Sequence, residues 1–117
     1  MIAVSGSGIA GLAAALAVLR NQIPLLLVAG STPAKRLHGG VQIAPNGWAA
    51  LDQLGLGDAA RARATTLQAI TVRDMRSAAT LASLDLTASA YAGLSRADLV
   101  SLLKAEINAA KIGRAHV

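Results

Sequence analysis

Gly6, Gly8 and Gly11 stand at the spacing G-x-G-x-x-G, directly after a short apolar stretch at residues 2–4 and at the head of an Ala/Leu-rich run. A strand that turns sharply into a helix leaves the first N–H groups of that helix without intrahelical acceptors, and the helix dipole adds partial positive charge there. The chemistry this allows is binding of a diphosphate by backbone amides, here those around Gly6, Ser7, Gly8, Ile9, Ala10 and Gly11. Each glycine has a separate task. Gly6 permits the tight turn, Gly8 lets phosphate approach the backbone, and Gly11 lets the helix lie close to the strand. The order of strand, glycines and helix is what gives the spacing meaning.

Other chemistry finds little support. The chain has no cysteine and only two histidines, His38 and His116, which argues against a zinc site or a disulfide framework. Asp52, Asp58, Asp74, Asp85, Asp98 and Glu106 form no paired arrangement in the sequence, so no catalytic acid or base is assigned. The formal net charge is +5, yet the basic residues are dispersed and the chain has one Trp, one Tyr and no Phe. Dispersed charge without aromatic platforms speaks for solubility rather than nucleic-acid binding. The apolar run at residues 9–19 is too short to cross a bilayer and lacks the flanks of a signal peptide. A cytoplasmic location is expected.

The elements that must position the glycines follow from pattern. At 117 residues and 54% hydrophobic content, the chain forms at most one domain, with a core of small aliphatic side chains. A helix is expected over residues 9–21, and Pro24 cannot continue it. Residues 25–28 are an unalternating apolar run, as in a parallel strand covered on both faces. Strand, helix and strand make a βαβ unit. Residues 30–40 read as a loop with a Lys35-Arg36 pair and a Gly39-Gly40 pair. After an apolar stretch at 41–44, a helix starts at Pro45 and stops at Gly55, with a short helical turn over 58–64. Residues 69–74 and 81–86 alternate as two strands of a hairpin. Ser95 is the expected N-cap of a helix over 96–110 whose apolar stripe is Leu99, Leu102, Leu103 and Ile107. The fold class is therefore α/β: a Rossmann-like βαβ dinucleotide-binding fold with a β-hairpin insertion, incomplete.

Four stretches in this order resemble the N-terminal part of the FAD-dependent aromatic-hydroxylase family of flavoprotein monooxygenases. They are Val4-Ser-Gly-Ser-Gly-Ile-Ala-Gly-Leu, Gly40-Val-Gln-Ile-Ala-Pro-Asn, Leu54-Gly-Leu-Gly-Asp and Ser95-Arg-Ala-Asp-Leu. The resemblance implies FAD as cofactor, with its diphosphate on the glycine turn and Arg96 beside the flavin ribityl and phosphate. It implies that the loop carrying Arg36, Gly39 and Gly40 passes near the isoalloxazine. It also implies hydroxylation of an aromatic or related small molecule in a complete enzyme using NAD(P)H as electron donor. Trp48 is read as a packing residue.

The sequence departs from the family in three places. The strand over 25–28 should be followed by an acidic residue for the adenosine ribose, and spacing puts Ala29 there. Ser31 or Thr32 could substitute in part. A neutral residue with Lys35 and Arg36 downstream also suits an NADP 2′-phosphate, so an NADP-binding reductase fragment stands as the alternative, beside a truncated non-catalytic chain. Gln22 occupies a position where the family usually has Gly. The family's second flavin motif and its substrate sheet are missing. The last six residues, Ile112-Gly-Arg-Ala-His-Val117, spell what a common short-read sequencing adaptor gives in translation. Residues 1–111 are expected to be part of an FAD-binding domain, and 112–117 a non-native tail.

Overall fold

The computed structural model describes residues 1–28, 30 and 38–112. The tail beyond Ile112, and Ala29, Ser31, Thr32, Lys35 and Arg36, lie outside the described residues. The chain opens with β1 (Ile2–Ser5), α1 (Ile9–Arg20) and β2 (Leu25–Val28). β1 and β2 pair in parallel, Ile2 opposite Leu25 and Ser5 opposite Val28, so a βαβ unit is present. Next come β3 (Gly40–Ile43), α2 (Pro45–Gln53) and α3 (Gly57–Arg61). β4 (Thr65–Thr66) leads to a hairpin of β5 (Ala69–Arg73) and β6 (Thr80–Asp85), and the described chain closes with β7 (Ala92–Ser95) and α4 (Arg96–Ile112). β7 lies between β3 and β4 in an antiparallel three-stranded sheet.

α1 buries Leu12, Ala15, Leu16 and Leu19, one stripe at helical spacing. α4 answers with Leu99, Val100, Leu103 and Ile107, and the two helices pack together. Leu102, expected in that stripe, is only partly buried, and Val100 takes its place in the core. Trp48 and Leu51 of α2 join the same cluster, so Trp48 is the packing residue its lone position suggested.

α1 ends at Arg20, one residue earlier than the spacing predicts, in a Schellman motif. The Gln22 N–H donates to the Leu19 carbonyl at 3.0 Å and the Ile23 N–H to the Val18 carbonyl at 3.2 Å. This closure places Gln22 at φ 58°, a left-handed conformation that costs an L-residue about 1 kcal/mol or more. α2 closes in the same way, but there Gly55 holds the left-handed position at φ 79°. Gln22→Gly is therefore expected to stabilise the chain by about 1 kcal/mol, read as a higher urea midpoint at unchanged slope.

Three features differ from the sequence expectation. β4 and β7 were not foreseen; β7 turns out to be the central strand of its sheet. α4 runs to Ile112, two residues beyond the expected end. β2 is covered on one face only: Leu25 is buried, but Leu26 and Val28 are 49% and 56% exposed. Among the described elements, α1 packs on both strands of this parallel pair, and α4 packs against α1.

The β5–β6 hairpin stands off from the rest and every residue in its strands is exposed. The radius of gyration is accordingly 17.2 Å, against about 13 Å for a compact chain of this length. Asp74 organises its turn. The Ser77 and Arg76 N–H groups and the Ser77 hydroxyl all donate to Asp74 Oδ1, at 2.8, 2.9 and 3.1 Å. These donors hold the Asp74 carboxyl below the usual carboxylate range. A carboxylate with a lowered folded pKa contributes its stability above the unfolded value and loses it as pH falls through the folded one. Asp74→Asn should therefore flatten the acid limb of a stability profile taken between about pH 5 and pH 2, checked by thermal melts of both proteins.

Candidate functional site

The turn from β1 into α1 has the geometry that a diphosphate cradle requires. Gly6 sits at φ 145°, which side chains rarely adopt, and its N–H extends the parallel pairing by donating to the Val28 carbonyl at 2.9 Å. A Cβ on Gly11 would lie 2.9 Å from the Gly6 carbonyl oxygen, so the helix meets the turn backbone to backbone. Gly8 is different. It is the N-cap of α1 at φ −81°, is exposed, and a Cβ there would meet nothing within 4 Å. The first helical bond runs from the Leu12 N–H to the Gly8 carbonyl at 3.0 Å. Helical geometry thus leaves the amides of Ile9, Ala10 and Gly11 without intrahelical acceptors, and no side chain caps them. An exposed, uncapped helix start with open space over Gly8 suits an anionic ligand.

A second group of expected site residues comes together on the antiparallel sheet. Gly40 pairs with Ser95, and the Arg96 N–H donates to the Gly39 carbonyl at 3.0 Å, with Gly39 at φ 80°. The Gly39-Gly40 pair and the Ser95-Arg96 pair, 56 residues apart in sequence, are therefore neighbours. Ser95 caps α4 as expected: the Asp98 N–H donates to Ser95 Oγ at 3.0 Å. The Arg96 side chain is exposed. α1, which starts at the glycine turn, and α4, which starts at Arg96, pack against each other, and it is the C-terminal half of α4 that lines a cavity with Ser7. Arg36 lies outside the described residues.

Cavities indent the surface formed by the described residues, and two of them bear on the site. The larger, about 260 Å³, is bounded by Trp48, Arg61, Thr66 and Tyr91. Its guanidinium is already committed: Arg61 makes two hydrogen bonds to the Asp52 carboxylate, at 2.6 and 2.9 Å, and stacks 4.7 Å from the Trp48 ring centroid. That pairing lowers the Asp52 pKa and raises that of Arg61. The smaller cavity, about 200 Å³, opens beside the glycine turn between Ser7, Leu12 and Leu27 and the C-terminal half of α4. Size alone would favour the first. The second opens beside the glycine turn, where Ser7 lines it, and is the better candidate for a ligand. The described residues contain no group of three or more potential metal ligands, and no described helix is long and apolar enough to cross a membrane.

No family model matches the chain. Over 105 residues, 84% of its length, it is 40% identical to 3-amino-4-hydroxybenzoate 2-monooxygenase PtnB3 of Streptomyces platensis. Over 109 residues, 87% of its length, it is 31% identical to 3-hydroxybenzoate 6-hydroxylase 1 of Aquipseudomonas alcaligenes. These matches span 26% and 28% of the two relatives. Among solved structures, 2-methyl-3-hydroxypyridine-5-carboxylic acid oxygenase superposes with a TM-score of 0.80 at 22% identity, over 92% of this chain and 29% of that one. The R204Q form of Klebsiella pneumoniae HpxO, complexed with FAD, superposes with a TM-score of 0.72 at 26% identity and the same coverage. The fold is thus a mixed α/β fold shared with flavin monooxygenases. The homologues of the chain are 3-hydroxybenzoate 6-hydroxylase and other FAD-dependent aromatic monooxygenases, of which it matches a short part.

Proposed function

We propose that the chain is the N-terminal FAD-binding part of a flavin-dependent monooxygenase that hydroxylates an aromatic or related small molecule. In this reading β1, α1 and β2 are a Rossmann-like dinucleotide-binding unit and β5–β6 is an insertion in it. The observation that carries it is the glycine turn: Gly6 at positive φ, Gly11 against the Gly6 backbone, and open space over Gly8 at an uncapped helix start. These residues fit a dinucleotide, because the space in front of the amides is what phosphate oxygens need.

In the complete enzyme, FAD supplies the oxygen and electron-transfer chemistry, with NAD(P)H as donor. The chain's own residues hold and orient it. The amides of Ile9, Ala10 and Gly11 grip the diphosphate. The Arg96 guanidinium, a permanent cation with a planar fork, serves phosphate or ribityl oxygens. Gly40, with Gly39 before it, lets backbone come close to the ring, and Arg36, four positions before Gly40 in sequence, is read as a further cofactor contact. No residue is assigned to acid–base catalysis, since the carboxylates of Asp52, Asp98 and Glu106 are paired with arginines and those of Asp74 and Asp85 with turn donors. By itself the chain is expected to bind without turnover.

The test is a titration of the purified chain with FAD, followed by flavin fluorescence and the visible spectrum. Saturable uptake near one equivalent is expected. Arg96→Ala should bind about tenfold more weakly, the low end for losing a hydrogen bond to a charged group. No uptake by the wild type would overturn the reading, and equal affinity of the variant would remove Arg96 from it.

A further inference from the structure

The described carboxylates are all engaged. Asp52 and Asp58 face Arg61, Asp98 faces Arg63 and Glu106 faces Arg20, while Asp74 and Asp85 accept hydrogen bonds from neighbouring turn residues. Lysine and arginine number 11 against six acids, so several cations have no carboxylate left to meet. Lys104 and Lys111 are two of these: among the described residues neither is in an ion pair. Both line the cavity of about 200 Å³ that Ser7 of the glycine turn also lines, and Asn108 lies between them. Positions 104, 108 and 111 fall on one face of α4. Leu12, Leu27 and Ile107 supply an apolar floor.

The cavity therefore joins two ammonium groups, one amide and apolar surface beside a helix start that itself favours anions. Among the described residues, no carboxylate lines it. A ribose diol is commonly held by an acidic residue at the end of the second strand, whereas the spacing puts Ala29 there in this chain. Ammonium groups on flexible stems suit phosphate oxygens rather than a bare diol.

We propose that Lys104 and Lys111, with Asn108 between them, bind the phosphate-bearing adenosine end of the dinucleotide, supplying affinity that the neutral Ala29 does not. This rests on the FAD-binding reading and adds a set of contacts from α4 to it. The two side chains act as independent point charges on one phosphate-bearing ligand, so losing both is expected to weaken binding about tenfold.

The experiment is calorimetric titration of the whole chain with ADP and with FAD. Lys104→Gln/Lys111→Gln should bind both ligands about tenfold more weakly, with a smaller salt dependence and an unchanged melting temperature. Lys104→Arg/Lys111→Arg, which keeps the charge, should stay within about threefold of wild type. The control is Arg73→Gln/Arg76→Gln, which removes the same charge on the distant hairpin and should bind as wild type. If the double Gln variant binds as wild type, or if the hairpin control loses as much affinity, the proposal falls while the FAD reading stands. If wild type takes up neither ADP nor FAD, both fall. Should the double Gln variant fail to fold, the single variants carry the same comparison at about threefold each.

Discussion

Gly8→Val is expected to abolish dinucleotide binding while leaving the fold intact. The two halves of that result come from different observations. Gly8 is at φ −81° and ψ −179°, an extended conformation in which a β-branched residue is comfortable, and a Cβ there meets no protein atom within 4 Å. The substitution thus clashes with nothing in the folded chain, and its cost is that of a poorer N-cap, about 1 kcal/mol. The space it fills is the space over the amides of Ile9, Ala10 and Gly11, where phosphate oxygens must sit to accept their hydrogen bonds. Losing several such charge-assisted bonds at about 1.5–3 kcal/mol each exceeds a hundredfold in affinity. A melt and an FAD titration on the same sample check both halves. Retained affinity would remove the turn from the site.

Gly11→Val should do the opposite and act first on stability. A Cβ there comes within 2.9 Å of the Gly6 carbonyl oxygen and 3.0 Å of its carbon. Both are backbone atoms, and Gly6 is locked at φ 145° with its N–H bonded to Val28. The clash cannot be relieved by swinging a side chain aside; α1 or the turn must move. Overpacking of this kind costs about 1–3 kcal/mol. The gain from replacing glycine inside a helix, below about 1 kcal/mol for a β-branched residue, offsets only part of it. In a chain whose core is mostly Leu, Ala, Val and Ile, that loss is a large share of the total. Urea denaturation should show a clearly lower midpoint, and binding should fall as a consequence. A midpoint equal to wild type would mean that helix and turn are not in the close contact described.

The tasks of Gly6 and Gly11 were legible in the sequence because they are local: a tight turn and a close approach within six residues. So were α1, β2, the Gly55 stop of α2, both hairpin strands and the Ser95 cap, all written in short-range pattern. β7 was not. Ala92-Gly93-Leu94-Ser95 has small residues and weak strand preference, and it is a strand because β3, some fifty residues earlier, pairs with it. The open face of β2 was illegible for the converse reason. Leu25-Leu26-Leu27-Val28 has the composition of a strand buried on both sides, and only the folded arrangement shows that one side is bare.

The candidate site divides in the same way. The juxtaposition of Gly39-Gly40 with Ser95-Arg96 is a product of β3–β7 pairing, and only the family resemblance hinted at it. Lys104, Asn108 and Lys111 read in sequence as the polar face of an amphipathic helix. Their nearness to Ser7 arises from the packing of α4 on α1, which no local pattern encodes.

The central claim is that the free amides at the start of α1 receive the ligand, and amide chemical shifts measured during titration with FAD test it most directly. The account predicts that the largest perturbations fall on the N–H groups of Ile9, Ala10 and Gly11, with Arg96 responding and the Trp48–Tyr91 cavity silent. Perturbations centred on Trp48, Arg61 and Tyr91, with the glycine turn unchanged, would contradict it.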